Sequence, residues 1–169
     1  MKERGRPGRG GRASSPYARI TRLIARMQER DRKDLFAPAE ETDLESLQQL
    51  GIPETVLEFY RDLAPVEALE FEDVRLWDAA HILEENRDFH PGSEVHELGY
   101  VAVAGNRGGD MYCLDLGEWR SEETPRVVLV PHDVELGARD RALVEHQTLP
   151  VAESFDEFLL LLARGGPTA

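Results

Sequence analysis

Apolar side chains recur every three or four residues along three segments of the first part of the chain, residues 17–33, 42–50 and 53–63. That spacing places them on one face of an α-helix, so each segment is predicted to form an amphipathic helix. Thr42 begins a capping-box pattern at the start of the second segment. Gly51 follows the same segment and is typical of a helix end.

The pattern changes in the middle of the chain. Residues 71–77 alternate between apolar and polar side chains, which predicts a β-strand. Asp78 is a typical N-cap residue and predicts a helix that continues to Asn86. Residues 87–97 show no periodicity and predict a loop.

Short apolar runs dominate the second half and predict strands at residues 100–104, 111–116, 126–131 and 143–149. Residues 154–164 open with a second capping-box pattern and predict a last helix. Helices before and after a central, largely antiparallel sheet predict a single α+β domain.

A glycine-rich turn joins the first two of these strands, and Asn106, Gly108 and Gly109 tolerate the backbone of a tight reversal. The turn lacks the Lys-Ser/Thr pair of a phosphate-binding loop and leads into a strand, so we interpret it as a hairpin rather than a nucleotide site. Asp110 follows the turn and is expected to accept hydrogen bonds from turn amides.

Charge is distributed unevenly along the chain. Residues 1–33 carry eleven Lys or Arg and three acidic residues, a net +8, which leaves −21 for the rest of a chain of net charge −13. Residues 1–16 are too poor in apolar side chains to fold and are predicted to be a disordered basic tail. Residues 17–36 are predicted to be a basic amphipathic helix, and residues 37–165 the domain. A domain with this much negative charge favours basic partners.

No set of side chains predicts an active site, so the protein is not expected to be an enzyme. Asp110 and Asp115 are five residues apart on one strand and point to opposite faces, which argues against a catalytic pair. Asp115 is instead expected to face water or a partner. Cys113 lies within the same strand and is expected to be a buried apolar residue rather than a nucleophile.

The histidines predict neither a metal site nor a cofactor, because His81, His90 and His96 lack the tight spacing of zinc ligands. A single cysteine excludes an internal disulfide and fits a reducing compartment. No apolar run is long enough to cross a bilayer, and the basic N-terminus lacks the apolar centre of a secretory signal. The sequence therefore predicts a cytoplasmic protein with no membrane contact.

The two tryptophans receive different interpretations. Trp77 lies between a predicted strand and a helix and is predicted to belong to the core. Trp119 lies in an acidic loop and leaves two interpretations open, an exposed interface anchor or a ring folded back onto the core.

The order of these segments, over about residues 44–162, resembles the SUKH superfamily. Four stretches are similar to its motifs. Residues 51–60 are similar to the proline and amphipathic helix at its start, and residues 76–86 to the strand and helix that close on an acidic residue and an asparagine. Residues 109–115 are similar to the glycine-aspartate turn with its hydrophobic strand, and residues 155–158 to the closing helix. The chain departs from the family at Leu63-Ala64-Pro65, where paired glycines are usual.

The superfamily includes fungal regulators of cell-wall synthesis and bacterial immunity proteins of polymorphic toxin systems. The resemblance therefore implies a non-catalytic protein that binds a cognate toxin domain, with a nuclease among the candidates, and neutralises it by occlusion. The predicted partner contacts are acidic or aromatic residues on or near the motif segments: Asp73, Glu84, Glu85, Asp110, Asp115, Glu118, Trp119, Glu122 and Glu123.

Other functions remain open at this stage. The fungal branch implies a regulatory adaptor that inhibits nothing. Residues 5–12 form an arginine-glycine tract typical of segments that bind a nucleic-acid backbone, so residues 1–33 are also a candidate for weak nucleic-acid contact. The same basic arm could instead fold back onto the acidic domain. The oligomeric state stays open.

Overall fold

A computed structural model describes residues 15–117, 119 and 123–167 of the chain. The described residues form eight helices: α1 (Pro16–Met27), α2 (Arg32–Leu35), α3 (Glu41–Leu50), α4 (Glu54–Leu63), α5 (Ala79–Arg87), α6 (Gly92–Glu97), α7 (Arg141–Gln147) and α8 (Phe155–Leu162). They also form eight strands: β1 (Phe36–Ala37), β2 (Ala64–Pro65), β3 (Leu69–Phe71), β4 (Val74–Leu76), β5 (Tyr100–Asn106), β6 (Met111–Asp115), β7 (Val127–Val130) and β8 (Leu149–Ala152).

The strands form an antiparallel sheet in which each strand pairs with the next one along the chain. Strands β3 to β8 make this six-stranded sheet, and β1 and β2 pair separately. Short turns join β3 to β4 and β5 to β6, as antiparallel neighbours allow, whereas α5 and α6 lie between β4 and β5, and α7 lies between β7 and β8. The α+β prediction with a central antiparallel sheet is confirmed.

Helices cover both faces of the central strands, which explains why β6 is buried along its whole length. The rings of Tyr112 and Phe158 lie 5.3 Å apart, so α8 packs on one face. Met111, the adjacent residue, points to the opposite face. Its sulfur would lie 3.6 Å from a Cβ placed on Gly92, so α6 packs on that second face.

Helix α1 contributes to the same core as the rest of the domain. The Tyr17 ring lies 5.3 Å from Phe59 and 6.3 Å from Phe155, and its hydroxyl donates to the Thr55 carbonyl at 2.9 Å. The domain boundaries after residues 16 and 36 stay predictions, and residues 1–14 of the predicted tail lie outside the described part.

Four predicted elements are corrected. The helix predicted at residues 17–36 is interrupted, because α1 ends at Met27 and a separate helix, α2, spans Arg32–Leu35. Residues 71–77 are not one strand, because the exposed pair Glu72 and Asp73 forms the turn between β3 and β4. The predicted loop at residues 87–97 contains helix α6. The predicted strand at 143–149 is helix α7, and the last strand, β8, begins at Leu149.

The predicted helix ends have mixed outcomes. Ser154 caps α8 by accepting from the Glu157 amide at 3.3 Å, and Asp78 caps α5 by accepting from the His81 amide at 3.1 Å. Gly51 ends α3 with a left-handed φ of 100°. The Thr42 cap is wrong, because α3 begins one residue earlier and Thr42 lies within its first turn.

Candidate partner-binding surface

The predicted contact residues do not form one surface. Asp73, Glu85 and Asp110 lie around the β5–β6 turn, whereas Asp115, Trp119 and Glu123 lie beyond the other end of β6. At about 3.4 Å per residue, Asp110 and Asp115 are about 17 Å apart along the strand. Glu84 lies beside Glu85 on α5, and Glu118 and Glu122 lie outside the described residues.

Asp110 links the β5–β6 turn to the segment that follows β7. One carboxylate oxygen accepts from the His132 backbone amide at 3.0 Å and lies 2.9 Å from Nδ1 of the same residue. The other accepts from the Asn106 amide nitrogen at 3.1 Å. The turn thus donates to Asp110 through the Asn106 side chain, and the expectation of bonds from its backbone amides is wrong, because the backbone donor is His132, 22 positions away.

The contact between Asp110 and His132 shifts the pKa values of both side chains. Burial acts to raise the pKa of Asp110, but the hydrogen bonds from His132 and Asn106 outweigh it, and the pKa is lowered. The hydrogen bond to Asp110 in turn raises the pKa of His132. The pair therefore holds a carboxylate at the edge of a depression of about 220 Å³ that Glu85 also lines.

Glu85 is half-buried, and burial, followed by the neighbouring Glu84 carboxylate, raises its pKa. Asp73 belongs to a different depression, because it lines a groove next to Tyr112 and Leu149. The acidic residues near the turn thus border two separate depressions.

Asp115 is a buried structural carboxylate, so the expectation that it faces water or a partner is wrong. Its side chain is 1% exposed and forms ion pairs with Arg126, at 2.6 Å, and with Arg141. The Gly117 amide donates a further hydrogen bond at 3.0 Å. Burial acts to raise the pKa of Asp115, but the bonds from Arg126, Gly117 and Arg141 outweigh it and lower the pKa.

Arg141 holds this end of the sheet together. Besides Asp115, it donates to the Leu98 carbonyl, and its guanidinium lies 4.4 Å from the centre of the Tyr100 ring. Arg126 also lies 3.5 Å from Glu145 on α7. The sequence carried no local signal for this cluster, because Arg126 and Arg141 lie 11 and 26 residues from Asp115.

Trp119 is half-buried, between the two interpretations that the sequence left open. Its indole N–H donates to the Glu123 carbonyl at 2.5 Å. The ring lines a depression of about 240 Å³ together with Glu153 and the Asp115–Arg126 pair. Trp77, by contrast, is 7% exposed, which confirms that it belongs to the core.

Asn86 is a structural residue whose role the sequence did not reveal. It is 2% exposed, its amide nitrogen donates to the Ala102 carbonyl at 2.7 Å, and its oxygen accepts from the Ala102 amide at 2.8 Å. The same nitrogen donates to the Ile82 carbonyl at 2.8 Å. Asn86 therefore ties α5 to β5.

Other candidates for chemistry occupy structural positions. Cys113 is fully buried, and burial raises the pKa of its thiol, as expected of a core residue. His81 lies 2.7 Å from Asp78, His90 lies 3.0 Å from Glu94, and His96 contacts the Leu50 carbonyl. No three metal-ligating side chains come together among the described residues.

None of the described helices has the length and the apolar composition needed to cross a membrane.

Most of the chain is similar to a known protein family. Residues 38–161 match the model of the SMI1 / KNR4 family (SUKH-1), a range that begins before α3 and ends within α8. No curated protein sequence matched the chain. The family match includes Asn86, the β5–β6 turn and the Asp115 cluster, and the chain belongs to the SMI1 / KNR4 (SUKH-1) family.

Proposed function

We propose that this protein is a cytoplasmic, non-catalytic immunity protein that binds a cognate toxin domain and occludes its working surface. The observation that carries the proposal is the family match over residues 38–161, since membership is consistent with an immunity or regulatory role. The burial and raised pKa of the Cys113 thiol add support, because a nucleophile must be accessible and ionised.

The charge of the domain supports a basic partner. Asp73, Glu84 and Glu123 are exposed, and none of them forms an ion pair with a described residue. Toxins that act on nucleic acids need basic surfaces. An acidic inhibitor would associate with such a surface rapidly through long-range attraction and would compete with phosphate for it.

The test begins with capture of partners from native lysate by the full chain at moderate salt, with and without nuclease. The expected result is a basic polypeptide with a toxin-like domain that is retained after nuclease treatment. The purified domain should form a stable complex with this protein and lose its activity when the complex forms. Full toxin activity at saturating concentrations of this protein would contradict the proposal. Retention of a partner without toxic activity would favour the regulatory adaptor.

A second candidate function, nucleic-acid contact through residues 1–33, is favoured by the exposed face of α1. Arg19, Arg22 and Arg26 are exposed, while Ile20 and Ile24 on the opposite side are buried. Replacing the three arginines by glutamine leaves the buried side unchanged. If the arm is the functional part, this variant should lose binding to single-stranded RNA but retain the fold. The immunity proposal expects toxin neutralisation to be unaffected.

A further inference from the structure

An apolar groove lies on the sheet face that α8 covers only in part. The strand register aligns Tyr112 with Leu129 and Leu129 with Leu149, which places the three side chains in one row across β6, β7 and β8. Helix α8 packs on the Tyr112 end of this row through Phe158 and ends at Leu162. At the other end of the row no described helix covers Leu149, which is 61% exposed.

The groove, as we define it, is the depression of about 720 Å³ between this row and residues 165–167. Its volume is in the range of about 300–1,000 Å³ found for sites that enclose small ligands or a few side chains. Leu149 is 61% exposed, although large apolar side chains usually avoid water. Leu129 is half-buried and Tyr112 is 6% exposed, so the apolar row forms the floor of the groove and Leu149 its exposed end. A depression of this size with an apolar floor is typical of a surface that another molecule covers.

One end of the groove is acidic. Glu72 and Asp73, in the turn between β3 and β4, are exposed and line this end. Neither forms an ion pair with a described residue. Burial, followed by the nearby Asp73 and Asp110 carboxylates, raises the pKa of Tyr112.

Two features restrict what binds there. The chain beyond residue 33 carries a net −21, which makes the acidic domain of a second copy an unfavourable occupant, because like charges repel. Among the described strands, β8 pairs only with β7, and Pro150 within it has no N–H to offer an added strand. The occupant must therefore contribute side chains to the groove rather than extend the sheet.

We propose that the groove binds an extended segment of a partner protein in which an apolar side chain lies next to lysine or arginine. The apolar side chain would contact Leu129 and Leu149, and the cation would lie beside Glu72 or Asp73. This inference rests on the proposed function in one respect, namely that the partner is a protein with a basic surface. It adds where on the domain that surface is bound.

Three labelled nonapeptides test the chemistry: one of alternating leucine and lysine, one with glutamate in place of lysine, and one with serine in place of leucine. Fluorescence anisotropy with the full chain should show that the leucine-lysine peptide binds at least about tenfold more tightly than the other two. Equal binding of the serine-lysine peptide would overturn the proposal, because charge alone would then explain it.

Substitutions test the location. Leu149→Asp should weaken binding of the leucine-lysine peptide about tenfold, because it places a charge in the apolar row. Val66→Asp is the matched control, since Val66 is 50% exposed and lies outside the groove. Equal losses in both variants would overturn the location. Light scattering of the wild-type chain tests whether a second copy of the chain occupies the groove. A dimer that Leu149→Asp dissociates would also overturn the proposal.

Binding and neutralisation of the toxin by the two variants distinguish failure of this inference from failure of the proposed function. If Leu149→Asp weakens toxin binding and Val66→Asp does not, the groove is the contact. If both variants bind and neutralise the toxin as the wild type does, the groove assignment is wrong and the proposed function stands. If no toxin is neutralised but the peptide binds at Leu149, the proposed function fails and the groove remains a peptide-binding site.

Discussion

Asn86 completes the sheet at a point where β4 has already ended. The last contact on that side of β5 is the hydrogen bond from the Trp77 amide to the Val103 carbonyl, at 3.1 Å. The next groups, the N–H and C=O of Ala102, have the Asn86 side chain as their partner. The carboxamide presents a donor and an acceptor side by side, as the N–H and C=O of a paired strand residue do, so it replaces the missing strand. Its second N–H donates to Ile82.

Replacing Asn86 by Asp tests this role with almost no change in volume. The carboxylate can still accept from the Ala102 amide, but it cannot donate to the carbonyls of Ala102 and Ile82. Buried groups left without partners cost about 1–3 kcal/mol each, so we expect the free energy of unfolding to fall by about 3 kcal/mol or more. Urea unfolding measures the change.

The control for Asn86→Asp is Gln48→Glu, which makes the same chemical change at an exposed position of α3. Its urea midpoint should remain close to that of the wild type. A similar midpoint for Asn86→Asp and the wild type would contradict the role that we assign to the buried amide.

Asp115 predicts a dependence of stability on pH. Its folded pKa lies below the ordinary value of 3.8, so its ion pairs stabilise the fold fully above that value and are lost as pH falls through the folded pKa. Asp115→Asn removes the charge at every pH. At pH 7 we expect the variant to be about 3 kcal/mol less stable, because Arg126 and Arg141 both lose the buried Asp115 carboxylate as a partner.

The stability difference between wild type and Asp115→Asn should therefore shrink as pH falls from about 5 to 3. Urea unfolding at pH 7, 5 and 3.5 measures it, with the exposed Asp62→Asn on α4 as the control. A difference that stays constant over this range would show that the ion pairs do not account for the effect of the substitution.

At the scale of elements, long apolar runs were predictable and short helices were not. Strands β5, β6 and β7 are buried on both faces, so their side chains are almost uniformly apolar and the sequence shows them directly. Helix α6 has six residues and follows the sequence His90-Pro91, so no periodicity marks it. Its position depends on Gly92, where a Cβ would lie 2.2 Å from the Glu85 carbonyl oxygen.

The residues of the candidate site were predictable where the local sequence determines their position, and unpredictable where contacts with distant parts of the chain determine it. Glu84 lies in a motif segment that was predicted to be helical, and it is exposed there, as expected of a charged side chain. Asp73 lies in a turn where a strand was predicted. The burial of Asp115 was not predictable, because its two arginine partners come from later elements of the chain. The groove was missed for the same reason, since its apolar row joins three strands.

At the scale of the whole molecule, charge separates the chain into a basic N-terminal part and an acidic domain. Residues 1–33 carry a net +8 and the remainder −21. Fields of this size act over about 10 Å at 0.1 M salt and over much shorter distances at higher salt. They therefore affect the rate at which a partner arrives more than the lifetime of the complex.

The acidic side chains near the β5–β6 turn should accelerate association with a basic toxin domain. Neutralising Asp73, Glu84 and Glu85 together, as Asp73→Asn, Glu84→Gln and Glu85→Gln, should lower the association rate about fivefold to tenfold at low salt and leave dissociation nearly unchanged. The difference should largely disappear at about 0.5 M salt, where screening is strong. Stopped-flow mixing with the captured toxin domain measures both rates.

The matched control neutralises three exposed glutamates before and within α3, Glu40, Glu41 and Glu45, by substitution with glutamine. The net charge changes equally in the two variants, so a difference between them reports where the charge lies. If the turn is the contact, the control should slow association clearly less, because its charges do not line the depressions around the turn. Equal slowing by both variants would contradict local steering and leave net charge as the cause, whereas an unchanged rate in both would contradict electrostatic attraction altogether.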